Sequence, residues 1–405
     1  MSKRESSQEQ RQGVSRREFL RSMAATITAG SLSAAAPSAA QSRSARKVRV
    51  GVVGGGFGAL FQWHLDPNCE VEAVSDLIAG RREVLQRTYK CKKAYASLEE
   101  LVRDPKVEAV AVFTGAPDHA RHAIECMNHG KHVISAVPAC LTLEEARSLK
   151  ETKERTGLQY MMAETSYYRW PTMLARQYWA QKKFGRFLYS EVEYYHDRDL
   201  SKPRDSTVAL YRGRPTPRGW RHGYPPMLYP THSTAFHVGV TRERFTAVSC
   251  LGWGDGSPAL KDNPYENPFL NQAALFRTNG ASICRCNVFW KIHASGERAQ
   301  WLGENASVYM ENESGQPFVA KSRDGRDVRA LPDFFQLLPE VMRVPSDHGN
   351  SHAFITREFV AALVDNREPA VDLYEALAMT VPGIVAMESA RKDGEQIRIP
   401  GFDRM

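Results

Sequence analysis

Between residues 47 and 165, short apolar runs alternate with segments of helical character. Val48-Arg-Val-Gly-Val-Val53 is dense in β-branched residues and reads as a strand buried on both faces. Runs at 70–75, 107–113 and 131–135 repeat the pattern, with a helix expected over 120–129. Strands and helices alternating at this spacing predict right-handed crossovers and a parallel sheet. From Gly185 the pattern changes. Runs at 187–195, 245–253, 271–278, 281–291 and 306–310, rich in aromatic and β-branched residues, have no long helices between them. They predict a mainly antiparallel sheet. The expected fold is a doubly wound α/β Rossmann domain followed by an α+β domain with that second sheet.

The first forty residues show neither pattern. Ser15-Arg16-Arg17-Glu18-Phe19-Leu20 carries paired arginines; a mild apolar stretch follows, then small residues up to Ala40. Together they resemble a Tat signal peptide, cut after Ala40. The expected division is 1–40 for the leader, 41–165 for the dinucleotide domain and 166–405 for the substrate domain. The expected location is the periplasm or beyond, reached by the Tat route.

Composition removes several function classes. The net charge of +8 is spread along the chain with no basic stripe, so a nucleic-acid partner is not expected. No apolar run reaches the ~20 residues of a membrane-spanning helix. Seven cysteines in 405 residues are too few for a disulfide scaffold. Cys284 and Cys286, two apart in a strand, face the same way and do not suit each other as partners. His232 and His237 lack a third ligand at sensible spacing, so no metal site is expected.

Gly54-Gly55-Gly56-Phe57-Gly58-Ala59 directly follows the first strand. In this G-x-G-x-x-A pattern Gly54 permits a tight turn and Gly56 lets the backbone approach a pyrophosphate. Ala59 lets a following helix sit close on the strand, with the helix-start amides facing the phosphates. The second strand ends at Asp76, placed to accept hydrogen bonds from the adenosine ribose. A carboxylate there repels a 2′-phosphate, so NAD is expected over NADP; Arg81 and Arg82 lie near enough to weaken the preference.

These features, the Pro117-Asp118-His119 turn and the segment His132-Val-Ile-Ser-Ala-Val-Pro138 resemble the glucose–fructose oxidoreductase/inositol dehydrogenase/MocA family. Gly296-Glu-Arg-Ala-Gln-Trp-Leu-Gly303 and the closing run from Ser351 to Asp372 extend the resemblance over about residues 47–403. It implies an open C-terminal sheet, a homo-oligomer formed through that sheet's outer face, and a sugar-like substrate. Phe57, Thr114, Pro117, His119 and Pro138 then join the cofactor-binding candidates. One departure stands out. The family's Glu-Lys-Pro, whose lysine assists proton transfer, reads Ala136-Val137-Pro138 here.

Leu228-Tyr229-Pro230-Thr231-His232 resembles a segment of the family's NAD-dependent α-N-acetylgalactosaminidase branch. There the tyrosine and histidine lie in the sugar site, which implies Tyr229 and His232; a second tyrosine maps onto Tyr168. That branch also has valine in the lysine position, but it keeps a glutamate where Ala136 stands. Arg221 falls in the Arg-, Pro- and Gly-rich stretch 201–226, a candidate binding loop. The expected chemistry is hydride transfer from a sugar hydroxyl to NAD. His232 is the expected acid/base, with a pKa near the ordinary ~6.5, assisted by Tyr229, and His352 is the reserve. The alternatives are a glycoside hydrolase working by transient oxidation and a redox-silent sugar-binding protein.

Overall fold

The computed structural model describes residues 46–198, 210–212, 214–215, 218–312 and 315–404. Residues 1–40, where a leader is expected, and much of the 201–226 stretch lie outside them.

Six short strands build the first sheet: β1 (Val48–Val53), β2 (Cys69–Ser75), β3 (Ala94–Tyr95), β4 (Ala109–Val112), β5 (His132–Ser135) and β6 (Tyr160–Met162). All pair in parallel, in the order β3-β2-β1-β4-β5-β6. Every residue of β4 and β6 is buried, as strands covered on both faces require. The crossovers carry α1 (Ala79–Tyr89), α2 (His119–Asn128) and α3 (Leu143–Thr156). Thr142 caps α3 by accepting from the Glu145 amide, and Gly157 ends it in the left-handed region.

The crossover after β1 departs from the expectation. No α-helix follows the glycine loop. Two 3-10 turns, Gly58–Leu60 and Trp63–Leu65, fill the short span to β2. The aromatic rings of Phe57, Phe61, Trp63 and Phe113 pack where a helix is usual; Phe61 stacks on Phe113 at 4.4 Å.

After α4 (Trp170–Ala180) the chain enters the second sheet. Its strands are β7 (Phe187–His196), β10 (Phe245–Trp253), β11 (Asn271–Thr278), β12 (Ile283–Phe289), β13 (Ser295–Gly303), β14 (Ala306–Tyr309), β15 (Val319–Ser322) and β16 (Ile397–Arg398). A separate two-stranded ribbon is formed by β8 (Leu210–Tyr211) and β9 (Arg214–Pro215). The order is β15-β14-β13-β7-β12-β11-β10-β16, antiparallel except where β7 meets β12.

Of the three remaining helices, the first and the last lie behind this sheet. All of α5 (Thr231–Thr241) is buried, and the Trp301 indole, from β13, donates to the Phe236 carbonyl at 2.7 Å. A helix covered on every side is a fixed platform, and His232 is its second residue. α6 (Asp347–Val364) begins with three successive left-handed residues, His348, Gly349 and Asn350. α7 (Leu373–Arg391) bridges both sheets: Thr380 accepts from the Ala139 amide at 3.3 Å, and Ser389 from the Cys250 amide at 2.9 Å. Gly383 lets it press on the segment before α5, since a Cβ there would stand 2.1 Å from the Met227 carbonyl oxygen. All seven cysteines are unpaired and buried, and Cys284 and Cys286 share the inner face.

Candidate active site

The C-terminal ends of the parallel strands form one edge, where doubly wound sheets bind ligands. At β1, Gly54 has φ +98°, and a Cβ there would meet the Phe113 carbonyl oxygen at 2.2 Å. A Cβ on Gly56 would enter open space, the room a pyrophosphate needs. Gly58 fills the close-packing role expected of Ala59: its Cβ would reach Phe113 at 2.9 Å and Val52 at 3.2 Å. Ala59 is half-buried in the 3-10 turn that follows. The expected phosphate contact with a helix N-terminus therefore fails, because the turn is too short to carry a dipole; loop amides must serve.

Asp76, just past β2, accepts from the Gly55 amide at 2.7 Å and the Ile78 amide at 2.8 Å. Its carboxylate is thus fixed beside the loop, with lone pairs left for ribose hydroxyls. The open cradle over Gly56 and this carboxylate fit a dinucleotide. His119 does not face it. Its ring nitrogens lie 2.8 Å from the Pro138 carbonyl oxygen and 3.0 Å from that of Thr114, so it clamps the ends of β4 and β5. The Thr114 hydroxyl is 2.9 Å from His122 Nδ1, and Pro117 is buried in the next turn. The 218–226 segment reaches this edge: a Cβ on Gly115 would touch the Trp220 ring at 2.9 Å.

Glu164, which no sequence motif marked, stands two residues beyond β6. It is fully buried, and Oε1 lies 2.8 Å from His232 Nδ1 and from the Ser166 amide. Through His232 the carboxylate sits at the start of α5, where the helix dipole favours an anion. Glu297, on the inner face of β13, accepts from Arg169 Nε at 2.8 Å and the Ser166 hydroxyl at 2.7 Å. The result is a buried quartet of two carboxylates, Arg169 and His232.

That quartet corrects the expected state of His232. Burial pushes its pKa down, but the charge and hydrogen bond of Glu164, then Glu297, outweigh burial and raise it to about 9. Burial pushes Glu297 up, but Arg169 and His232 hold it down at about 2. At neutral pH the quartet is two anions and two cations, and His232 is an acid rather than a free base.

An aromatic wall surrounds the imidazole. Tyr194 lies 4.9 Å from it, Tyr229 5.2 Å and His348 6.5 Å, centre to centre. Trp290 closes on Tyr194 at 5.7 Å. Arg221 rests on Trp220 at 4.1 Å, with its guanidinium carbon 5.7 Å from the centre of the Tyr229 ring. His348 continues the line to the glycine loop, 5.7 Å from Phe57. Two expectations are corrected. His352 stacks on Phe61 at 4.6 Å with Nδ1 3.2 Å from the Leu60 carbonyl oxygen, on the cofactor side rather than beside Tyr229. Burial and His348 lower its pKa to about 4. Tyr168 stacks on Phe354 in the core, toward Glu358 rather than His232, and burial pushes its phenol well up. His237 is held 2.9 Å from the Ser190 hydroxyl, on the sheet side of α5. Among the described residues no cluster of three metal-ligating side chains occurs.

Residues 48–164 match the oxidoreductase family with an NAD-binding Rossmann fold. The match, to the glucose–fructose oxidoreductase/inositol dehydrogenase/MocA family, covers the dinucleotide-binding part of the chain. Its cofactor is NAD. A family 109 glycosyl hydrolase of Stenotrophomonas maltophilia is 24% identical over 96% of this chain and 95% of its own length. A scyllo-inositol 2-dehydrogenase (NADP⁺) of Bacillus subtilis is 30% identical over 29% of this chain and 33% of its own. Levoglucosan dehydrogenase in complex with NADH superposes with a TM-score of 0.72 at 17% identity, covering 88% of this chain and all of that one. That enzyme thus shares the fold found here.

Proposed function

We propose that this protein oxidises a hydroxyl of a sugar or glycoside held between the glycine-loop edge and the aromatic wall. The observation that carries the reading is the buried Glu164–His232 pair, which opens onto Tyr229 and Arg221 beside the cofactor edge. Bound NAD supplies the hydride acceptor. The chain's own residues do the rest. Tyr194, Tyr229 and Trp290 offer apolar ring faces to the sugar, a common use of aromatic side chains with one wet edge. Ala136 and Val137 replace the family's charged pair with an apolar wall, so proton handling passes to His232 and its neighbours. Glu164 holds the imidazolium at Nδ1 and leaves Nε2–H to donate to a substrate oxygen. The sugar-dehydrogenase and glycosidase names among the relatives support this substrate class.

One observation favours a second reading, hydrolysis through transient oxidation. Elimination of an anomeric substituent needs a proton on the departing oxygen, and His232 is held in its acid form. The whole-length likeness to a family 109 glycosyl hydrolase points the same way. The twin-arginine leader supports export; replacing Arg16 and Arg17 by lysine should then trap the protein in the cytoplasm on cell fractionation.

Single-turnover absorbance of reduced nicotinamide, on a panel of free sugars and glycosides, tests the activity. Net oxidation gives a lasting rise, and the redox-coupled hydrolase a transient rise with a released aglycone. His232→Ala should slow either by about 10²–10⁴ while NAD binding persists. No rise with any compound would reject both.

A further inference from the structure

With the family lysine absent and His232 already bonded to Glu164, the hydroxyl proton needs another acceptor. Three tyrosines line the wall. Tyr224 donates its proton to the Leu228 carbonyl at 2.8 Å and is committed. Tyr194 lies under Trp290 and Tyr229, and burial pushes its phenol up. Tyr229 alone of the three combines a half-buried ring with a guanidinium 5.7 Å and an imidazole 5.2 Å from its centre.

We propose that Tyr229 is the group that takes the substrate's hydroxyl proton, with Arg221 and His232 flanking its phenolate. The proposal rests on the oxidoreductase reading above. In the step, the sugar O–H bond breaks and its proton passes to the phenolate oxygen. The carbinol C–H bond breaks as hydride and leaves for NAD⁺, the oxidant. The C=O bond forms between the two departures, and the phenol is left neutral.

The surroundings ease ionisation of the phenol. Burial opposes ionisation, but Arg221, then His232 and Arg198, outweigh it and bring the phenol below its usual range. The nearby anions, Glu164 and Glu297, are each engaged by a cation of their own, His232 and Arg169. The arrangement also explains why a charged His232 suits a dehydrogenase step: it faces the phenolate before transfer and the substrate oxygen during it.

The test follows phenolate absorbance through a pH titration of the NAD-loaded protein and of Tyr229→Phe. One of the 15 tyrosines should ionise before the others, and Tyr229→Phe should abolish that early step. Arg221→Gln should move it upward. On a sugar that reduces the bound NAD in the parent, Tyr229→Phe should lower single-turnover NADH formation by about 10²–10⁴ with cofactor retention unchanged. An absent early ionisation, or NADH formation by Tyr229→Phe at the parental rate, overturns the proposal alone. A parent that reduces NAD with no sugar overturns the reading beneath it.

Discussion

Glu164→Gln keeps the shape of the buried pair but removes the carboxylate that holds His232 charged. The imidazole should then titrate near or below the ordinary ~6.5, as NMR of the ring protons would show. The same pair ties stability to pH. His232 has a folded pKa of about 9, above its unfolded value of ~6.5. Its contribution is therefore complete below ~6.5 and is lost as the pH rises through about 9. Thermal unfolding of parent and Glu164→Gln should converge above that range and differ most below it. At the nucleotide end, Asp76→Ala should erase the preference for NAD over NADP in calorimetry. Equal parental affinity for the two would show that Asp76 sets nothing. The sequence made Asp76 legible because strand, glycine loop and acid lie within one unit. Glu164 was not, since its partner His232 is distant in the chain; its trace was a carboxylate just past a buried parallel strand. Glu297 left another, a charge on the inward register of its strand, two residues before Ala299 and four before Trp301.

Periodicity reveals an element only when one of its faces meets water. β11 shows it plainly, with Gln272, Ala274, Phe276 and Thr278 buried and the residues between them exposed or half-exposed. α5 and α7 are covered on nearly all sides, so they carry no polar stripe and escape a pattern search. The missing helix after the glycine loop was hidden differently: G-x-G-x-x-A predicts a turn, while helix length depends on the residues left before β2. With no helix to buttress it, the loop depends on Gly54. Gly54→Ala forces a Cβ onto the Phe113 carbonyl at a positive φ, at a cost of at least about 1–3 kcal/mol. Calorimetric unfolding should show a lower Tm and NAD binding should weaken; an unchanged Tm would mean the loop relaxes freely.

At the scale of the whole molecule, the second sheet turns one face to α5 and α7 and leaves the other open. That outer face carries a polar lattice, Arg285 and Arg298 with Glu191 and Glu193, beside the exposed Leu251, Trp253, Leu275 and Ile283. Exposed apolar side chains grouped on one sheet face suit an interface between copies, and we propose that the protein self-associates there. Light scattering should give a multiple of the chain mass, and Leu275→Glu should reduce it; monomers at micromolar concentration in the parent would refute the interface. The central claim is hydride transfer from a sugar carbon, and isotope transfer reads it directly. The NAD-loaded protein is mixed with sugars and glycosides deuterated at the ring carbons, quenched by denaturation, and the released cofactor is weighed by mass spectrometry. Hydride transfer yields NADH carrying one deuterium with at least one compound, and much less of it in Tyr229→Phe. Cofactor released only as unlabelled NAD⁺ from every mixture, with the protein folded and loaded, would contradict it.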